Sequence, residues 1–179
     1  MTSLNISSTN FTRYFNEFFH FEFKYPIDWN LHIQKIPDDE EKYCFIIFFI
    51  GPSESNTGIG NSLLSLWISP NPKKDDSLNS VNNYIENITS GLYKDDSKII
   101  GSRIEPIADT NGREIEYTID TFRPLRLPKK FQKLVIEHNI RIIFEKNDFL
   151  FDLRFSASDD DYSKQYDIYQ HAKKSFKFI

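Results

Sequence analysis

Phe19-His20-Phe21-Glu22-Phe23-Lys24-Tyr25-Pro26-Ile27-Asp28-Trp29 is the stretch on which the fold class turns. Successive side chains of an extended chain point to opposite faces. Phe19, Phe21, Phe23 and Tyr25 therefore form one aromatic face, and His20, Glu22 and Lys24 the other. One side meets a core and one meets water, and the strand ends at Pro26, which cannot donate to a sheet ladder. The far end of the chain answers this strand with a helix from Asp159 through about Ser175. There Ile168, Ala172 and Phe176 make an apolar row flanked by Tyr162, Tyr166 and Tyr169, while Lys164, Asp167, His171 and Lys174 fall on the outer face. Asp159, Asp160 and Asp161 stand where the positive end of the helix dipole favours acids. The two segments are expected to pack together in one core.

Between them the chain reads mainly as strands. Trp29 to Lys35 continues or pairs with the opening strand, and Pro37 to Glu41 turns it. The run Tyr43-Cys44-Phe45-Ile46-Ile47-Phe48-Phe49-Ile50 lacks alternation and so reads as a central strand covered on both faces. Leu63 to Ile68 is a further strand, stopped by Pro70 and Pro72. Leu78, Val81, Ile85, Ile88 and Leu92 recur at helical spacing behind a capping Ser77. Ile99 to Ile107 and Arg113 to Phe122 then flank Asp109-Thr110-Asn111-Gly112, where Asn-Gly suits a tight hairpin. In the second of these strands Ile115, Tyr117 and Ile119 are expected inward, with Glu114, Glu116 and Asp120 outward. Val135 to Glu145 and Phe149 to Ala157 complete the set. Residues 1–12 are polar and read as a disordered leader, and residues 13–179 as one domain.

Composition narrows the function classes. A chain of 179 residues buries roughly 70 % of its unfolded surface and needs no staples. Seventeen Phe residues suit a sheet-rich core. A net charge of -4 provides no global field for nucleic acid or an anionic membrane, so neither is expected as a partner. No apolar run approaches the roughly 18 residues of a membrane span. Residues 1–8 lack the basic and apolar segments of an export signal, which leaves the cytoplasm as the expected location.

Site chemistry is sparse. The lone Cys44 reads as a small buried hydrophobe. His20, His32, His138 and His171 have no paired spacing, and the acidic runs at 38–41 and 159–161 lack the spaced loop of a calcium site. No metal, cofactor or catalytic residue is expected. Gly58-Ile59-Gly60 lacks the Lys-Ser/Thr of a phosphate loop, and no Gly-x-Ser-x-Gly elbow occurs. Two features stand out. His138 shares its strand face with Ile136, Ile140, Ile142 and Phe144, which marks it as a core histidine or the edge of a pocket. Arg123, Arg126, Lys129, Lys130 and Lys133 form a basic loop beside Phe122 and Phe131 in an otherwise acidic protein, a candidate contact for an acidic partner.

Four motifs occur in a familiar order: Phe23-Lys24-Tyr25-Pro26-Ile27-Asp28-Trp29, Asn111 to Tyr117, Phe151 to Ser156, and Ala172 to Phe178. In this the chain resembles PsbP-like proteins of the Mog1/PsbP superfamily from about residue 15 onward. The resemblance implies an α+β fold, an antiparallel β-sheet flanked by helices in an α/β/α sandwich. The superfamily includes extrinsic photosystem subunits and a Ran-binding import factor, so the resemblance implies a non-enzymatic binding or assembly module acting through a protein partner. The alternative is a small-molecule or ion carrier with a pocket between sheet and helix.

Overall fold

The aromatic strand and the segment that closes the terminal helix meet, as expected. The computed structural model describes residues 9–35, 45–51, 62–71, 97–123 and 133–179, with Asn82, Ile85, Glu86 and Ser90. Strands β1 (Phe11–Asn16), β2 (Phe21–Pro26) and β10 (Lys177–Phe178) form a three-stranded antiparallel sheet in the order β1-β2-β10. Lys177 pairs with Glu22 and Phe178 with Phe21. The ring of Phe176 lies parallel to those of Phe21 (5.2 Å) and Phe23 (5.7 Å), both fully buried. Ser175 Oγ accepts the backbone N–H of Lys24 at 2.9 Å.

β1 shortens the expected leader, because Phe11 and Thr12 already pair with Pro26 and Tyr25. Its polar lettering hides a half-buried strand: Tyr14 and Asn16 face the core, while Arg13 reaches Glu22 across the pair at 3.0 Å.

The larger sheet has seven antiparallel strands in the order β3-β4-β5-β9-β8-β7-β6: β3 (Asn30–Lys35), β4 (Phe45–Ile50), β5 (Leu63–Pro70), β6 (Ser97–Ile107), β7 (Thr110–Arg123), β8 (Lys133–Lys146) and β9 (Phe149–Ser158). β3 pairs with β4 and not with the opening strand. A turn closed by the Trp29 N–H on the Pro26 carbonyl (3.1 Å) sends the chain into the second sheet. β4 is buried on both faces as expected, with Phe45, Ile46, Ile47 and Phe49 inside, but it lies second from the edge of the sheet. Cys44 and the connection 36–44 lie outside the described residues, as does the glycine-containing loop at 52–61.

Both faces of this sheet are covered. One carries the terminal helix, Asp159–Ser175 as expected, together with the small sheet; Leu66, Leu153, Ile142, Phe155, Tyr169 and Ala172 belong to the shared core. On the other face Ile85 packs against Ile115, Tyr117 and Ile143. Asn82, Ile85, Glu86 and Ser90 are helical, and the rest of the 78–92 segment lies outside the described residues. The flanking by helices is therefore sparser than a full α/β/α sandwich: one complete helix is described, and it shares its face with the three-stranded sheet.

The expected Asn111-Gly112 turn is displaced. Ala108 and Asp109 make the turn, with Ala108 at φ 51°, and Asn111 and Gly112 pair with Pro106 and Glu105 inside the hairpin. Gly112 serves packing instead. A Cβ there would stand 2.7 Å from Ile142 Cγ1 and 2.9 Å from the Ile143 carbonyl oxygen. Since one contact is backbone, Gly112→Ala should strain the β7–β8 pair and destabilise the fold by about 1–3 kcal/mol. A lowered denaturant midpoint at unchanged slope is the expected readout, and an unshifted midpoint would show that the strands yield freely.

Candidate functional site

Arg123 and Lys133, the described members of the basic cluster, stand at the end of an arm. β6 ceases to pair with β7 at Ser97 and Ile119, and β9 ceases to pair with β8 at Ser158 and Glu137. β7 and β8 go on pairing with each other from Asp120↔Ile136 to Arg123↔Lys133. Among the described residues, this end of the hairpin stands clear of its neighbours as a two-stranded extension, and Leu134 (57 %) and Ile136 (44 %) are exposed on it. The register sets Arg123 and Lys133 opposite each other. Arg126, Lys129 and Lys130 fall within 124–132, outside the described residues.

His138 clips the terminal helix to β8. Its Nε2 lies 2.7 Å from Asp159 Oδ1, at the first residue of the helix, and its ring stacks on Tyr162 at 4.7 Å. Nδ1 is buried and has no hydrogen-bond partner among the described residues. His171 departs from the outward position expected of it. Its ring stacks on Phe11 at 3.8 Å, because β1 covers that flank of the helix. Burial, and after it the charges of Lys24 and Lys174, lower its pKa.

Beneath the helix runs a polar seam that strand alternation misplaced. Glu114, expected outward, is 1 % exposed, because the helix covers the face it occupies. Its carboxylate accepts Arg103 Nη2 (2.5 Å), Lys173 Nζ (2.8 Å) and the Tyr169 hydroxyl (2.8 Å). Beside it the Tyr162 hydroxyl donates to Glu116 at 2.9 Å. Burial first, and then the adjacent carboxylates, raise the pKa of both tyrosines, so each stays a neutral donor. Through these contacts to carboxylates the seam fastens helix to sheet. The sequence signal was the trio Tyr162, Tyr166 and Tyr169, since buried phenols need acceptors.

The opposite sheet face holds a dish of about 190 Å³. Its floor is small and polar because Ser65, Ser156 and Asn139 fall on the neighbouring strands β5, β9 and β8, with Ser156 paired to Asn139. Phe48, Trp67, Arg154 and Tyr117 rise around them. Arg154 is fixed from two sides. Its Nε (2.9 Å) and Nη2 (2.7 Å) both donate to Asp152 Oδ2, and its guanidinium lies 4.0 Å from the Trp67 ring centroid. Arg141 binds the same carboxylate, with Nε on Oδ1 at 3.1 Å. Burial alone would raise the Asp152 pKa, but the two guanidiniums outweigh it and hold the carboxyl below its ordinary range. Trp67 Nε1 donates to Ser65 Oγ at 3.2 Å. His138 is not among the lining residues, because Glu137 and Asn139, its neighbours in β8, are the ones that face this side.

No protein-family model matches the chain, and no curated protein sequence does. Solved structures do match, and they define a fold class. Cyanobacterial PsbP (CyanoP) from Synechocystis sp. PCC 6803 superimposes with a TM-score of 0.60 at 13 % identity, over 100 % of this chain and 98 % of that one. The Saccharomyces cerevisiae Ran-binding protein Mog1p gives 0.52 at 10 % identity, over 94 % and 95 %. LpqN, involved in cell envelope biogenesis of Mycobacterium tuberculosis, gives 0.54 at 12 % identity, over 97 % and 86 %. The chain has the PsbP/Mog1 fold, as its ordered motifs implied. Among the described residues no helix is long and apolar enough to cross a membrane, and no three His, Cys, Asp or Glu side chains gather as a metal site.

Proposed function

We propose that this protein is a non-enzymatic, cytoplasmic binding or assembly module that grips an acidic protein partner with the β7–β8 arm and its basic loop. The observation that carries the reading is the arm: apolar Leu134 and Ile136 are exposed on it, next to a stretch holding Arg123, Arg126, Lys129, Lys130 and Lys133. Exposed apolar side chains bordered by charge have the make-up of an interface core and rim. A neighbour in fold, Mog1p, is a Ran-binding protein, which supports a protein partner for this fold in general.

The test begins with native co-purification from the source cell and continues with the captured complex. Replacing Arg126, Lys129 and Lys130 together by Glu should weaken it at least about tenfold and flatten its dependence on ionic strength. Equal affinity and equal salt dependence for the folded triple variant would overturn the assignment.

A further inference from the structure

The dish on the sheet face away from the terminal helix has the parts of a ligand site distinct from the arm. The geometry points to a binding site for a small aromatic monocarboxylate, with its carboxylate on Arg154 and its ring over the Ser65–Ser156–Asn139 floor against Phe48 and Trp67.

Size selects the ring. A cavity of about 150 Å³ suffices for benzene, and the dish offers about 190 Å³, room for one ring and a carboxylate. Shape follows from the strand register. Phe48 pairs with Ser65, which pairs with Arg154; Leu63 pairs with Ser156, which pairs with Asn139. Small Ser65, Ser156 and Asn139 thus meet on β5, β9 and β8, with Arg154 beside them on β9 and Phe48 and Tyr117 on the flanking strands β4 and β7.

Chemistry selects the carboxylate. Asp152 takes Nε and Nη2 of Arg154, which leaves Nη1 for a ligand, and Trp67 holds the guanidinium plane. With its side chain only 25 % exposed and its orientation set beforehand, Arg154 gives up little freedom on binding an anion. Such a contact is charge-assisted and stronger than one to a neutral acceptor. Ser65 accepts the Trp67 indole N–H, so its hydroxyl proton is directed elsewhere, and Ser156 supplies another hydroxyl. Phe48 and Trp67, edge to face at 6.0 Å, form the apolar wall.

The test uses the two tryptophans. Indole N–H signals in ¹H–¹⁵N spectra should separate Trp67, at the dish, from the buried Trp29, which lines no part of it. Titration with benzoate should shift the Trp67 signal saturably, with a Kd on the order of 0.1–1 mM for so small a ligand. Benzamide and acetate, lacking the charge and the ring respectively, should bind at least about tenfold more weakly. Arg154→Leu should abolish the shift. Ser156→Leu fills the floor without touching the Arg154–Asp152 contact, so it should abolish binding in a folded protein even where Arg154→Leu is unstable. No saturable Trp67 shift by about 10 mM benzoate, equal affinity for benzamide, or unchanged binding to folded Ser156→Leu would each overturn the assignment.

Discussion

Phe176→Ala should destabilise the protein by about 3–5 kcal/mol, the range for deleting a buried aromatic ring that its surroundings cannot refill. The ring is 2 % exposed and lies parallel to Phe21 and Phe23, and Phe144 meets it edge-on at 5.3 Å. Those partners come from β2 and β8, on two different sheets, so neither can collapse into the space without breaking its own pairing. The residue also leads directly into β10, so losing the ring loosens the pairing of Lys177 and Phe178 with β2. Chemical denaturation should show a lower midpoint at a similar slope. An unchanged midpoint would mean that the end of the helix is not part of the common core.

Glu114→Ala should cost a comparable amount, about 3–5 kcal/mol, for an electrostatic reason. Removing one member of a buried ion pair leaves the other charged and desolvated. Lys173, with its side chain 7 % exposed, is the group left behind; its remaining carboxylate neighbour, Glu105, is 3.5 Å away and 30 % exposed. The Tyr169 hydroxyl loses its acceptor at the same time. The double variant Glu114→Ala/Lys173→Met removes both charges and should recover the part of the loss due to the stranded ammonium, while the Tyr169 hydroxyl still lacks its acceptor. Unfolding free energies of the two single variants and the double variant form the test. Simple additivity would show that the two residues are not coupled.

The parts of the fold legible in sequence were those where one period dominates. Phe21, Phe23 and Phe176 declared their faces because no other pattern competed with strand alternation or helical spacing. β1 was obscured by Thr12, Arg13 and Asn16, polar letters that a strand on the margin of a small sheet tolerates. Asn111-Gly112 misled because a glycine demanded by a close approach to Ile142 reads the same as one demanded by a turn. Alternation sorts a strand into two faces but does not say that both are covered, and that is how Glu114 was placed outward. Of the site, the cationic residues of the loop were visible as letters, but the arm that carries them depends on where β6 and β9 stop pairing. The dish was illegible for a related reason: Ser65, Asn139 and Ser156 become neighbours only through register across three strands.

The pairing of β2 with the segment after the terminal helix also constrains how the protein is made. The hydrogen bond from Lys24 to Ser175 spans 151 residues. At a synthesis rate of about 5–20 residues per second, β2 leaves the ribosome roughly 8–30 s before that partner exists. Through that interval the side chains of Phe21 and Phe23 lack the ring that later covers them, and an aromatic strand without its cover invites pairing with other chains. Until Phe176 has emerged, β2 is therefore the part of the nascent chain most open to pairing with other chains.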